Sequence, residues 1–291
     1  MKKNNTFIEK FIDYIDNEKR YSKHTISAYS SDLYSYGNYL NSHNMSLIDV
    51  NFNFIRNWIR FLSQNKKSFR SMNRKISTLK SFYKFLFKSK IIDSNPMDKI
   101  MFIKNKNKIP VFVNSSTMED LFSKINFSSD FNGIRDKLIL DFFYSTGIRL
   151  SELIELKIND VDLDASLLKV FGKRNKERLI PFSNKMKKSI VLYISKRDSE
   201  LPFLFLNKGK KLYPKFVYRL VKKYFSKISS VTNISPHKLR HTFATHMLNN
   251  GAEINAIKDI LGHSNLSSTQ VYTHTTIDRL KSVYKKAHNR K

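Results

Sequence analysis

The residues Pro236-His237-Lys238-Leu239-Arg240-His241 follow Ser235, a serine and proline placed to cap and open a helix. On that helix His237 and Arg240 stand three residues apart, hence on one face, while Leu239, Phe243 and Met247 point to a core. A guanidinium beside an imidazole suits a phosphate: the arginine fork grips two oxygens and the histidine can move a proton. His237 and His241 have the spacing of two metal ligands, but no carboxylate lies between them and the chain has no cysteine, so a metal site is not expected. Further on come Leu261-Gly262-His263 and Val271-Tyr272-Thr273-His274. A tyrosine hydroxyl has a pKa near 10 and needs nearby positive charge or a base to act as a nucleophile. Alone, Tyr272 reads as one buried aromatic among fourteen tyrosines. Cleaving a phosphodiester without a metal needs a nucleophile, cations around the non-bridging oxygens and an acid for the leaving oxygen, and this half of the chain carries residues of those types.

The elements that must position them are mainly helical. Apolar residues recur every three or four positions over 6–18, 22–43, 51–64 and 69–88. In the last, Met72, Ile76, Leu79, Tyr83 and Leu86 form a core stripe, and Lys80, Lys84 and Lys88 form a second stripe. Residues 103–113 read as an extended basic linker, with Pro110 holding Ile109 out of helix. This predicts a helical domain over 1–103, a linker at 104–114 and a second domain over 115–291. The second domain opens on a helix at Ser116, capped in a box with Glu119. A buried helix over 134–146 is stopped by Gly147, and a short helix follows at 151–156. Runs at 167–171 and 178–181 flank Gly172-Lys173-Arg174-Asn175-Lys176-Glu177 and read as a hairpin, the one small β element. The fold class is therefore mainly α with a small β-hairpin or sheet in the C-terminal domain.

Among 291 residues, 53 are Lys or Arg and 24 are Asp or Glu, a net charge of +29 that calls for a polyanionic partner. From Asn51 to Ile92 there are eleven Lys or Arg and no acid. A solvated face ordinarily mixes signs, so Arg70, Arg74, Lys80, Lys84 and Lys88 are candidate DNA-backbone contacts. The absence of cysteine excludes disulfides, thiolate metal sites and cysteine nucleophiles. No apolar run reaches signal-peptide length behind the basic N-terminus or the ~20 residues of a membrane span, so a soluble, cytoplasmic protein is expected.

Four boxes in order carry a family resemblance. Thr146-Gly147-Ile148-Arg149-Leu150-Ser151-Glu152-Leu153 resembles the first arginine box of the tyrosine recombinase (phage integrase) family. His237-Lys238-Leu239-Arg240-His241 is similar to its His-x-x-Arg box, and Leu261-Gly262-His263, with Tyr272 nine residues on, to its final box. Gly172-Lys173, with the lysine 24 residues after Arg149, resembles the family's β-hairpin lysine. Length and organisation are most like the Xer branch. The resemblance implies a two-domain clamp on double-stranded DNA, its N-terminal part a helical bundle. It implies that Arg149 and Arg240 hold the scissile phosphate, His237 and His263 assist with hydrogen bonds and protons, Lys173 protonates the leaving 5′ oxygen and Tyr272 forms a 3′-phosphotyrosyl bond. No metal or other cofactor is implied. Arg174 stands where Xer-like sequences commonly have glycine, which makes Lys176 a rival acid.

The implied assembly is a tetramer on two DNA sites, acting alone or with a related recombinase. Ile277, Leu280, Val283 and Tyr284, within a helix at 276–287, would dock on a neighbouring protomer, with packing on the helix's own core as the alternative. The implied role is Xer-like resolution of chromosome dimers. Its rivals are a mobile-element integrase with the same chemistry, relaxation of the type IB topoisomerase kind, and a non-catalytic basic DNA-binding module.

Overall fold

A computed structural model describes residues 2–104, 112–172, 177–228, 234–262 and 274–288. The chain divides into two compact units, Met1–Lys108 and Ile109–Lys291.

The first unit is helical. It comprises α1 (Lys2–Asp13), a π-helical turn (Tyr14–Glu18), α2 (Lys23–Asn41), α3 (Phe52–Gln64) and α4 (Phe69–Lys88). Ser22, Asn51 and Ser68 cap α2, α3 and α4, each accepting from the backbone amide three residues on, which satisfies donors that the first turn leaves open. The expected α4 stripe of Met72, Ile76, Leu79, Tyr83 and Leu86 is buried, together with Phe11, Leu33, Tyr36 and Trp58. Burial of each such side chain contributes roughly 1.5–3 kcal/mol. The two buried phenols satisfy one another: Tyr36 Oη lies 3.2 Å from Tyr83 Oη, and Tyr83 donates to the Leu47 carbonyl.

The second unit carries α5 (Ser115–Ser123), α6 (Phe131–Thr146), α7 (Leu150–Glu155), β1 (Val161–Asp162), β2 (Leu167–Phe171) and β3 (Glu177–Pro181). Then follow α8 (Asn184–Ser195), β4 (Leu206–Asn207), β5 (Lys210–Lys211), α9 (Pro214–Phe225), α10 (Pro236–Asn249), α11 (Ile254–Leu261) and α12 (His274–Ala287). Helix α6 is the centre: every residue from Leu138 to Thr146 is buried, and α8 and α10 pack on it.

Two expectations change. The helix predicted from Ser116 starts at Ser115 behind Asn114, which moves Glu119 two positions past the place where it could close a capping box, and Asn114 makes no side-chain cap bond. The β structure is larger than one hairpin: β1-β2-β3 form an antiparallel sheet, with Leu167 opposite Pro181 and Phe171 opposite Glu177, and β4-β5 form a separate ribbon. The added strands are two residues long, too short to show an alternating pattern. Helix α12 packs within its own unit against α10, α11 and β3. Its Leu280, Tyr284 and Ala287 join the core, and Asn250 Nδ2 donates to the Ala287 carbonyl at 2.7 Å. Of the stripe, Leu280 and Tyr284 are buried in this core, while Ile277 and Val283 are partly exposed.

Candidate active site

Two helix ends and one short helix build the site. Helix α6 ends on Gly147 at φ +60°, where a Cβ would lie 2.5 Å from Phe243 Cδ1 and 2.8 Å from Leu261 Cδ2. Only glycine fits both the left-handed backbone and the space. Helix α11 ends likewise on Gly262 at φ +64°, where a Cβ would lie 2.9 Å from Arg178 Cδ. These turns aim carbonyls at arginines. Arg240 Nη1 donates to the Gly147 carbonyl and Nη2 to the Leu261 carbonyl, so one guanidinium spans both turns.

Arg149 is the N-cap residue of α7. Its backbone N–H donates to Glu152 Oε2 at 2.8 Å, its Nη1 to Glu152 Oε1 at 2.7 Å, and its Nη2 to the Gly262 carbonyl at 2.9 Å. The Arg149 side chain remains 36% exposed, so its guanidinium is fixed from behind and open in front. Arg149 and Arg240 thus converge on the Leu261-Gly262 turn. His237 sits exposed one turn before Arg240 on α10. Lys173, Lys176, His263 and Tyr272 lie outside the described residues; in sequence, His263 directly follows Gly262, and Lys173 lies between β2 and β3.

The electrostatics follow from crowding. Burial, then the charges of Arg149 and Arg178, push the Arg240 pKa down to about 9, with Glu152 opposing. Burial alone would raise the Glu152 carboxyl, but hydrogen bonds and charge from Arg178, then hydrogen bonds from Arg149, outweigh it and hold the group at about 2. Sequence reasoning gave neither Glu152 nor Arg178 a role. The three-residue spacing of Arg149 and Glu152 at a helix start was the available signal for the first. An arginine on the inward side of a strand gave none for the second. Among the described residues, no group of three or more His, Cys, Asp or Glu is placed to hold a metal ion.

In the first unit, Arg70, Lys84 and Lys88 are exposed. Lys80 is half-buried, with Nζ 5.4 Å from the centre of the Phe102 ring. Arg74, its side chain 43% exposed, pairs with buried Asp32 and donates to the Ala28 carbonyl, while Lys75 Nζ lies 3.0 Å from the other Asp32 oxygen. A groove of about 340 Å³ beside Lys80 and Lys84 also carries Asp98. The stretch without acids in sequence is therefore supplied with two by the fold, Asp32 and Asp98. No helix among the described residues is long and apolar enough to cross a membrane.

Residues 111–279 match the phage integrase family and residues 8–90 its N-terminal SAM-like domain; the chain belongs to that family. It is a Xer-like tyrosine site-specific recombinase. The tyrosine recombinase XerC of Bacillus licheniformis is 38% identical over 294 residues, covering 98% of this chain and 96% of that protein. The Tn1549 transposon integrase in complex with a circular intermediate DNA shares the fold at a TM-score of 0.73 and 21% identity, covering 96% and 98% of the two chains. The XerH recombinase bound to a palindromic difH substrate does so at 0.72 and 22%, covering 88% and 78%.

Proposed function

We propose that this recombinase cuts and rejoins double-stranded DNA through a 3′-phosphotyrosyl bond to Tyr272. The supporting observation is the convergence of Arg149 and Arg240 on the turn that precedes His263 in sequence. Two fixed guanidiniums offset charge building on the non-bridging oxygens and lower the pKa of a nearby phenol. In this reading Tyr272 attacks the phosphorus, His237 and His263 hydrogen-bond the phosphate and handle protons, and Lys173 protonates the departing 5′ oxygen. The bond energy stays in the phosphotyrosine, so rejoining needs no nucleotide hydrolysis. The first unit would contribute contacts to the DNA backbone from Arg70, Lys80, Lys84 and Lys88.

The protein would act as a tetramer on two duplexes, cleaving in pairs, with or without a related recombinase. The XerC relatives, matched along nearly their whole length, favour resolution of chromosome dimers in the cytoplasm over integration of a mobile element. Tyr272→Phe tests the chemistry: it should bind a nicked recombination site normally and trap no covalent adduct. An adduct mapped to another tyrosine would overturn the assignment.

A further inference from the structure

Arg178, on β3, is 4% exposed and spends its guanidinium on two parts of the site. Nη1 and Nη2 donate to Glu152 Oε1 and Oε2, both at 2.7 Å, and Nε donates to the Ile260 carbonyl at 2.8 Å. Each Glu152 oxygen therefore accepts one bond from Arg178 and one from Arg149. The Arg178 side chain also lies against Gly262, whose carbonyl is the other anchor of Arg149.

We propose that Arg178 is a positioning residue that keeps Arg149 available to the phosphate. This rests on the reading that Arg149 holds the scissile phosphate. A buried carboxylate must be paired, and with Arg178 present its charge and lone pairs are shared between two guanidiniums. Without Arg178, the whole charge of Glu152 faces Arg149, drawing that guanidinium inward and neutralising it. The same loss frees the end of α11, whose Leu261 and Gly262 carbonyls locate Arg240 and Arg149. Because β3 is the strand returning from the segment that carries Lys173, one buried guanidinium also ties that strand to the phosphate pocket.

The alternative is that Arg178 only neutralises Glu152 for the sake of folding. The two differ in sensitivity to charge on the scissile group. Replacing a non-bridging oxygen by methyl makes that group neutral, so a defect in charge compensation shrinks on a methylphosphonate while a general structural defect does not. Single-turnover cleavage at saturating DNA would be measured for Arg178→Met, Arg178→Lys and Arg149→Ala on both substrates, beside DNA affinity and thermal unfolding. Removing one oriented donor costs roughly 10²–10³ in rate, and that loss is expected for Arg178→Met on the phosphodiester, falling below about tenfold on the methylphosphonate, with Arg149→Ala behaving alike. Arg178→Lys keeps a cation at Glu152 without the fork, should fold where the methionine variant does not, and should show the same substrate dependence at smaller amplitude. Equal losses on both substrates for the Arg178 variants, with Arg149→Ala still charge-dependent, would overturn the proposal alone. If Arg149→Ala is itself insensitive to charge, the phosphate assignment fails and the proposal fails with it.

Discussion

Each unit contains a buried carboxylate shared by two cations, and the two arrangements match closely. In the first, Asp32 (2% exposed side chain) holds Lys75 (9%) and Arg74 (43%). In the second, Glu152 (2%) holds Arg178 (4%) and Arg149 (36%). Each is one sequestered acid, one sequestered base and one half-exposed guanidinium that also donates to a carbonyl. They differ in what they join. Asp32 ties α2 to α4 at mid-span, where Thr78 Oγ1 also donates to it at 3.1 Å. Glu152 joins a helix start, a returning strand and the end of α11. Charge and burial are thus nearly equal, but Asp32 Oδ1 has Lys75 only as an ion pair without a hydrogen bond, whereas each Glu152 oxygen accepts two hydrogen bonds, and the elements joined differ.

The comparison breaks most visibly in rates. Lys173→Ala should slow cleavage of ordinary DNA by about 10²–10⁴, the contribution of a positioned acid, and recover near wild-type rates on a 5′-bridging phosphorothiolate, whose sulfur leaves without a proton. Arg149→Ala should show no such recovery, because it removes charge stabilisation. Recovery by Lys176→Ala in place of Lys173→Ala would move the acid along the hairpin.

Asp32→Ala should do the reverse. Removing one partner from a buried cluster costs about 3–5 kcal/mol, so the first unit should unfold early while cleavage by bound enzyme keeps its rate. Trp58, the single tryptophan and 1% exposed, reports that unit alone. Its fluorescence transition should shift for Asp32→Ala and stay in place for Glu152→Gln; a shift in both would mean that the clusters are not separable.

A smaller effect separates exposed from committed cations. Changing Lys80, Lys84 and Lys88 to Gln should flatten the log–log dependence of DNA affinity on salt by about 0.9 for each phosphate left without its cation. Arg74→Gln should flatten it less than Arg70→Gln, because Arg74 already faces Asp32. Equal slopes for those two would erase the distinction.

The smallest effect lies in acid. The Glu152 pKa is lowered on folding, from 4.5 to about 2, so its contribution to stability is complete above pH 4.5 and is lost as pH falls through about 2. Between those values Glu152→Gln should show a flatter decline in stability than the wild type when unfolding of the second unit is followed by circular dichroism.

The helical periods were legible because each is local, and so was the cap at Ser235, whereas the box expected at Ser116 does not form. Gly147 was legible as a stop signal. Its second use, presenting a carbonyl to Arg240 from 93 positions away, was not, since no local pattern encodes a partner that distant. Arg149, Arg240 and His237 were legible through spacing and resemblance, whereas Glu152 and Arg178 meet only when β3 folds back beside α7. The acids beside the acid-free stretch were hidden for the same reason. Asp32 and Asp98 flank it in sequence and reach it in space.

Arg149 and Arg178 pair with Glu152, while Arg240, bonded to two carbonyls beside them, has no carboxylate partner of its own among the described residues, so positive charge is in surplus there. In the resting enzyme that surplus is self-repulsion held by the packing of α6, α10 and α11, a local sacrifice of stability for function. In the proposed reading a phosphodiester seated there would remove the repulsion, and the ligand would become part of what holds the second unit together. Ligand occupancy raises apparent stability by mass action, and most of that gain should fall on the second unit rather than on the one that Trp58 reports.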